Sequence, residues 1–134
     1  YHRLMQHDKY FALYRAYFDQ FISEYFESGL FEKTLQEKAA LIAPYVQKDP
    51  TSFCSYDDHR LAVDTLEQVC LLRAESIRGQ LEGTIPATLR EQAEQPDAGV
   101  DASGICLEDL GDFDDLENAK EKQAEALEHV LLSQ

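Results

Sequence analysis

DKYFALYRAYFDQFISEYFE, residues 8–27, is the stretch that decides the fold. Tyr10, Phe11, Tyr14, Tyr17, Phe18, Phe21, Ile22, Tyr25 and Phe26 recur in steps of three and four. That spacing lays apolar side chains along one side of an α-helix, whereas a half-buried strand would alternate every second residue. Asp8 stands where an N-cap is expected. Gly29 follows the last repeat, where a glycine can take the left-handed conformation that ends a helix. Many of the chain's seven tyrosines and seven phenylalanines sit here. This helix is therefore expected to supply much of the core, each tyrosine burying its ring while its hydroxyl meets a polar partner.

Two more amphipathic segments follow. Phe31, Leu35, Ala39, Leu41, Ile42, Tyr45 and Val46 predict a second helix, with a kink or broken last turn at Pro44, which removes a backbone donor and crowds the carbonyl four residues earlier. Asp49-Pro50-Thr51-Ser52 reads as a turn, since Pro50 fixes its own φ and pushes Asp49 out of the α region. Ser55 with Asp58 forms a shortened capping box ahead of a third helix. That helix carries Ala62, Val63, Leu66, Val69, Cys70, Ala74, Ile77 and Leu81 at helical spacing up to Gly83. Three such helices with short connections predict an all-α fold, an antiparallel helical bundle of three main helices. Beyond Ile85-Pro86 the pattern thins. Thr88 can cap a short helix from Leu89 to Gln95, Gln95–Gly99 and Ser103-Gly104 read as linker, and an acidic C-terminal helix is expected from Asp112 or Asp115 to Leu132.

The chain has 134 residues, with 26 acidic against 12 basic and a net charge of −14. Residues 1–88 hold 9 basic and 13 acidic side chains, net −4, while residues 89–134 hold 3 and 13, net −10. The organisation expected is a helical bundle over 1–88, then a linker and acidic helical extension over 89–134. With no Lys/Arg-rich stretch to neutralise phosphates, the acidity argues against nucleic acid and anionic membranes as partners. No apolar run approaches the roughly 20 residues that span a bilayer, and the first residues do not form a signal peptide. The chain opens on Tyr1 rather than Met, which leads to the expectation of a piece cut from a longer protein.

Candidate chemistry is sparse. Cys54, Cys70 and Cys106 form no Cys-x-x-Cys and have no histidine at zinc-ligand spacing, so structural thiols are expected. His2, His7, His59 and His129 adjoin no nucleophile in a recognisable context and suit surface or cap roles. Asp109, Asp112, Asp114, Asp115 and Glu117 invite a divalent-cation reading. Gly111, however, precedes the cluster Asp112, Asp114 and Asp115, so the EF-hand register fails and a solvated helix start is the better account. The six glycines make no phosphate cradle. No catalytic, cofactor-binding or metal-binding residue is assigned.

LIAPYV at 41–46 with Asp49, RAESIRGQL at 73–81 and GTIP at 83–86, considered together, resemble the C-terminal helical part of the spore coat protein H (CotH) family, over about residues 1–88. That family comprises atypical, secreted or spore-associated protein kinases with a distant kinase-like fold. The resemblance implies that the parent uses ATP and a divalent metal, and is bacterial and associated with the spore coat or cell surface. In the family the nucleotide lysine, catalytic aspartate and metal-binding Asp motif lie upstream of these helices, so no catalytic residue carries over. Asp112-Phe113-Asp114 looks like a metal-binding Asp motif but falls after the matching region.

On this reading the chain is a helical subdomain, inactive alone, that supports a catalytic core located before Tyr1. Its partners are that upstream part of the same protein and, through the parent, spore coat or other protein substrates. Arg73 and Arg78 are structural candidates. Five apart on a helix, they diverge and can engage different acidic partners, Asp49 being one candidate and an exposed weak pairing the alternative. The competing reading is a free-standing acidic helical module that binds a protein through its aromatic helix. Self-association is expected if a docking face has been severed.

Overall fold

The computed structural model describes residues 6–111. Their order is α1 (Asp8–Phe21), a π-helical turn (Ile22–Glu27), α2 (Leu30–Val46), α3 (Tyr56–Glu82), α4 (Leu89–Glu94) and two 3₁₀ turns, Pro96–Ala98 and Leu107–Leu110. The all-α expectation holds, with no strand among the described residues. The expected acidic helix from Asp112 or Asp115 lies outside them.

The described residues divide into two compact units, one of residues 6–37 with 67–104, the other of residues 38–66 with 105–111. In the first unit α1 and the C-terminal part of α3 pack antiparallel. Arg15 reaches the Leu81 carbonyl, Asp19 meets Arg78, and Ile22 and Phe26 line one groove with Ala74 and Leu71. Partners thus fall in number along α3 as they rise along α1. Ile22 is the largest fully buried side chain among the described residues, and Ala74 is buried beside the same groove. Burying an isoleucine is worth about 1.5–3 kcal/mol.

The aromatic stripe does not simply turn inward. Tyr14 and Phe18 pack ring on ring at 4.7 Å. Tyr25, Phe26 and Phe31 cluster where the π-turn meets α2, the rings of Phe26 and Phe31 lying 5.0 Å apart. Tyr10, Phe11, Leu13, Tyr17 and Phe21, in contrast, are exposed. The helix forms as its spacing predicts, but much of its apolar surface faces outward.

Two details of the first helix depart from expectation. His7 is the N-cap and makes no side-chain cap bond, while Asp8 is the first helical residue, where its charge still favours the helix N-terminus. The regular helix also ends at Phe21, and the chain widens into the π-turn before Gly29 closes it with φ 76°.

The end of α3 follows the glycine-terminated pattern closely. Gly83 takes φ 81°, and the amides of Thr84 and Ile85 both return to the Gly79 carbonyl at 2.9 and 3.1 Å. This is the six-to-one closure of a Schellman motif. It folds Ile85 over Gly79 so tightly that a Cβ there would lie 2.6 Å from two Ile85 atoms. Only glycine leaves room. Thr88 then caps α4, its hydroxyl accepting from the Glu91 amide at 3.2 Å, as the sequence predicts.

In the second unit α2 is not broken at Pro44. It runs to Val46, and the amide of Gln47 bonds the Ala43 carbonyl at 3.0 Å. Pro44 lacks only its own donor, so the ladder resumes beyond it. The capping box before α3 is complete: the Asp58 amide donates to Ser55 Oγ at 3.1 Å and the Ser55 amide to Asp58 Oδ2 at 3.1 Å. Aspartate is thus long enough to close the box that glutamate usually forms.

Candidate functional site

The densest polar arrangement among the described residues centres on Arg78, one turn before the Gly83 stop. Its Nε and Nη2 donate to the two carboxylate oxygens of Glu27 at 2.7 and 3.0 Å. Nη2 also reaches Ser23 Oγ at 3.0 Å, and Nη1 bonds Asp19 Oδ1. Ser23 in turn donates to the Asp19 carbonyl at 2.9 Å, which orients the hydroxyl oxygen to accept from the arginine.

One guanidinium therefore grips three side chains of the opposite helix, and its planar fork suits it to the two-pronged bond with Glu27. The Arg78 side chain is 22% exposed, against 58% for Asp19 and 49% for Glu27. The hydrogen bonds it donates to Glu27, then that to Asp19, push the guanidinium further above the ordinary arginine value. It stays charged at every pH the fold survives.

Arg15, one turn before Asp19, donates from Nη2 to the Leu81 carbonyl and lies 5.9 Å from the ring centre of Phe11. Its donation satisfies one of the carbonyls left open at the end of α3. Two arginines, one from each helix, thus join α1 to α3.

Beside Arg78 a shallow groove of about 280 Å³ runs between the helices, with Ile22, Phe26, Leu71 and Ala74 on its apolar side and Glu27, Glu75 and Arg78 at its polar edge. The acid side chains here do not suit a divalent metal bound to a nucleotide. Asp19 and Glu27 are occupied by Arg78, and among the described residues no three His, Cys, Asp or Glu side chains come together as ligands.

Of the three residues singled out from the sequence, only Arg78 is the centre of such an arrangement. Its acidic partners are Asp19 and Glu27 of its own unit. Asp49 instead closes a turn, accepting from the Thr51 amide at 2.9 Å and the Thr51 hydroxyl at 2.7 Å. The hydroxyl bond, then the amide bond, lowers its carboxyl below the usual range. Arg73 is exposed, on a different side of α3 from Arg78. Cys54 and Cys70 are half-buried free thiols and Cys106 an exposed one.

Asp19, Ser23 and Glu27 were not predicted as partners of Arg78. Their spacing of four is shared by the aromatic stripe around them, so it does not set them apart as partners.

Compared with known proteins, residues 1–77 match the family model described as CotH kinase protein. No curated protein and no solved structure matches the chain. Asp19, Ser23 and Glu27 fall inside the matched stretch, and Arg78 follows immediately after it.

Proposed function

Because the chain belongs to the CotH kinase protein family, we propose that its helices act as a support for a kinase-like catalytic core elsewhere in the same protein, and carry no chemistry themselves. ATP, a divalent metal and the protein substrates of the spore coat or cell surface belong, on this reading, to that core. The polar side chains of the first unit suit such a role, since Arg78 and Arg15 are committed to joining helices.

The observation that carries the reading is the row Tyr10, Leu13, Tyr17 and Phe21 on α1, 45%, 49%, 63% and 50% exposed. At steps of three and four they share one side of the helix, inside the stretch that matches the family. A contiguous apolar row of this kind marks a surface that another protein layer covers. Tyrosine suits the margin of such a contact, its ring packed and its hydroxyl wet.

The test is made in the full-length protein. Tyr17→Asp is expected to lower both its melting temperature and its rate of phosphoryl transfer, while Arg73→Ala changes neither. Undiminished activity and melting after deletion of residues 1–77 would overturn the proposal. So would ATP turnover by the 134-residue chain alone.

A further inference from the structure

Residues 22–27 wind as a π-helix, forming the last turn of the first helix between Phe21 and the Gly29 stop. Such turns are rare and are retained where the displaced register is used. Here the use is visible in the angles. On a regular α-helix at 100° per residue, positions 19 and 27 stand about 80° apart, too far round to meet one guanidinium together. With residues 22–27 in i→i+5 winding, roughly 4.4 residues per turn, the same eight steps close two turns to within about 10°. Asp19, Ser23 and Glu27 then form a single file, the file that Arg78 grips.

The same widening sets the wall of the groove. Ile22, Phe26 and Glu27 all line it. Rewinding the segment to α would carry Glu27 round by roughly 90° and Phe26 by nearly as much. Phe26 would then leave its contact with Phe31, which lies outside the segment, at 5.0 Å.

We propose that residues 22–27 are a two-register element, held in the wide register by the grip of Arg78 on Glu27 and Asp19, and that this register shapes the groove beside Arg78. The segment rewinds to α when the grip is released. Arg78 is thus a positioning residue, acting on the groove through the winding of the opposite helix. The inference is independent of what the exposed face of α1 docks against.

The experiment is NMR on the whole 134-residue chain, reading amide–carbonyl couplings across the hydrogen bonds of residues 22–27. Wild type is expected to show i→i+5 couplings. Arg78→Met keeps the apolar stem but removes the fork, and is expected to lose them and gain i→i+4 couplings. Glu27→Ala, at a half-exposed position that tolerates truncation, is expected to do the same and decides the matter if Arg78→Met does not fold.

Deletion of Glu24 supplies the converse. Seven α-helical steps from Asp19 to the shifted Glu27 close two turns to within about 20°. This variant is therefore expected to be α-helical throughout with its Arg78–Glu27 bond intact, and Arg78→Met in that background leaves the winding unchanged. Persistent i→i+5 couplings in Arg78→Met or Glu27→Ala would overturn the proposal. So would loss of the Arg78–Glu27 bond on deleting Glu24.

Discussion

Gly79→Ala is the substitution whose outcome follows most directly from the geometry at the end of α3. A Cβ at position 79 lies 2.6 Å from Ile85 Cδ1, 2.6 Å from Cγ1 and 3.2 Å from Cβ. Carbon atoms rest at about 3.5–4.0 Å, so Ile85 must retreat by roughly 1 Å. The contact reaches the root of the side chain, so a rotamer change alone cannot relieve it. Retreat in turn strains the bonds that the Thr84 and Ile85 amides make to the Gly79 carbonyl.

Overpacking of this kind costs about 1–3 kcal/mol. Against it stands the better helix propensity of alanine, at most about 1 kcal/mol and less near a helix end. The net expectation is a loss of about 1–2 kcal/mol. In urea, with a slope of about 2 kcal/mol per molar, the midpoint followed by circular dichroism falls by about 0.5–1 M. In an Ile85→Ala background only the 3.2 Å contact remains. There Gly79→Ala is expected to change stability by less than about 0.5 kcal/mol, giving a coupling of about 1 kcal/mol or more between the two sites. Equal cost in both backgrounds, or a stabilised single variant, would refute the reasoning.

The remaining predictions concern the polar contacts. Arg78→Ala is expected to lower the melting temperature, and Arg78→Lys to fail to restore it, because one ammonium cannot fork onto Glu27 while reaching Asp19. Because both acids are about half exposed, the difference from wild type should shrink as salt is raised. Arg73→Ala, at an exposed position, is expected to stay within about 0.5 kcal/mol of wild type. Ser55→Ala removes the cap of α3 and should cost about 1 kcal/mol at neutral pH. The Ser55 hydroxyl, then its amide, lowers the Asp58 carboxyl below its usual 3.8. The stabilisation from that shift is therefore present above about pH 4 and lost as pH falls through the lowered value. Melting curves between pH 2 and pH 6 should show wild type and Ser55→Ala converging at the acid end.

Much of the local structure was legible because it depends on neighbours in the chain. The spacing of Tyr10 to Phe26 predicts a helix, Gly29 and Gly83 predict its kind of stop, and Ser55 with Asp58 and Thr88 predict their caps. Each of these rests on bonds within a few residues, which a single sequence displays directly. Of the kink or broken last turn that Pro44 predicts, the break does not occur, since one missing donor near a helix end leaves the rest of the ladder intact. Arg78 was legible as a structural candidate but its partners were not. They lie 51 to 59 positions away, and nothing in a single sequence says which acids face it.

The sequence by itself therefore determined the all-α class of the described residues, most of the caps and stops of their helices and an acidity concentrated after residue 88. The tertiary structure alone decided which way the aromatic stripe faces and how residues 22–27 wind. An amphipathic pattern states that a face is apolar, and whether that face is covered depends on the helices that pack beside it. A π-turn has no strong local propensity to announce it. It is fixed where a distant side chain, here Arg78, makes bonds that the regular helix would place out of reach.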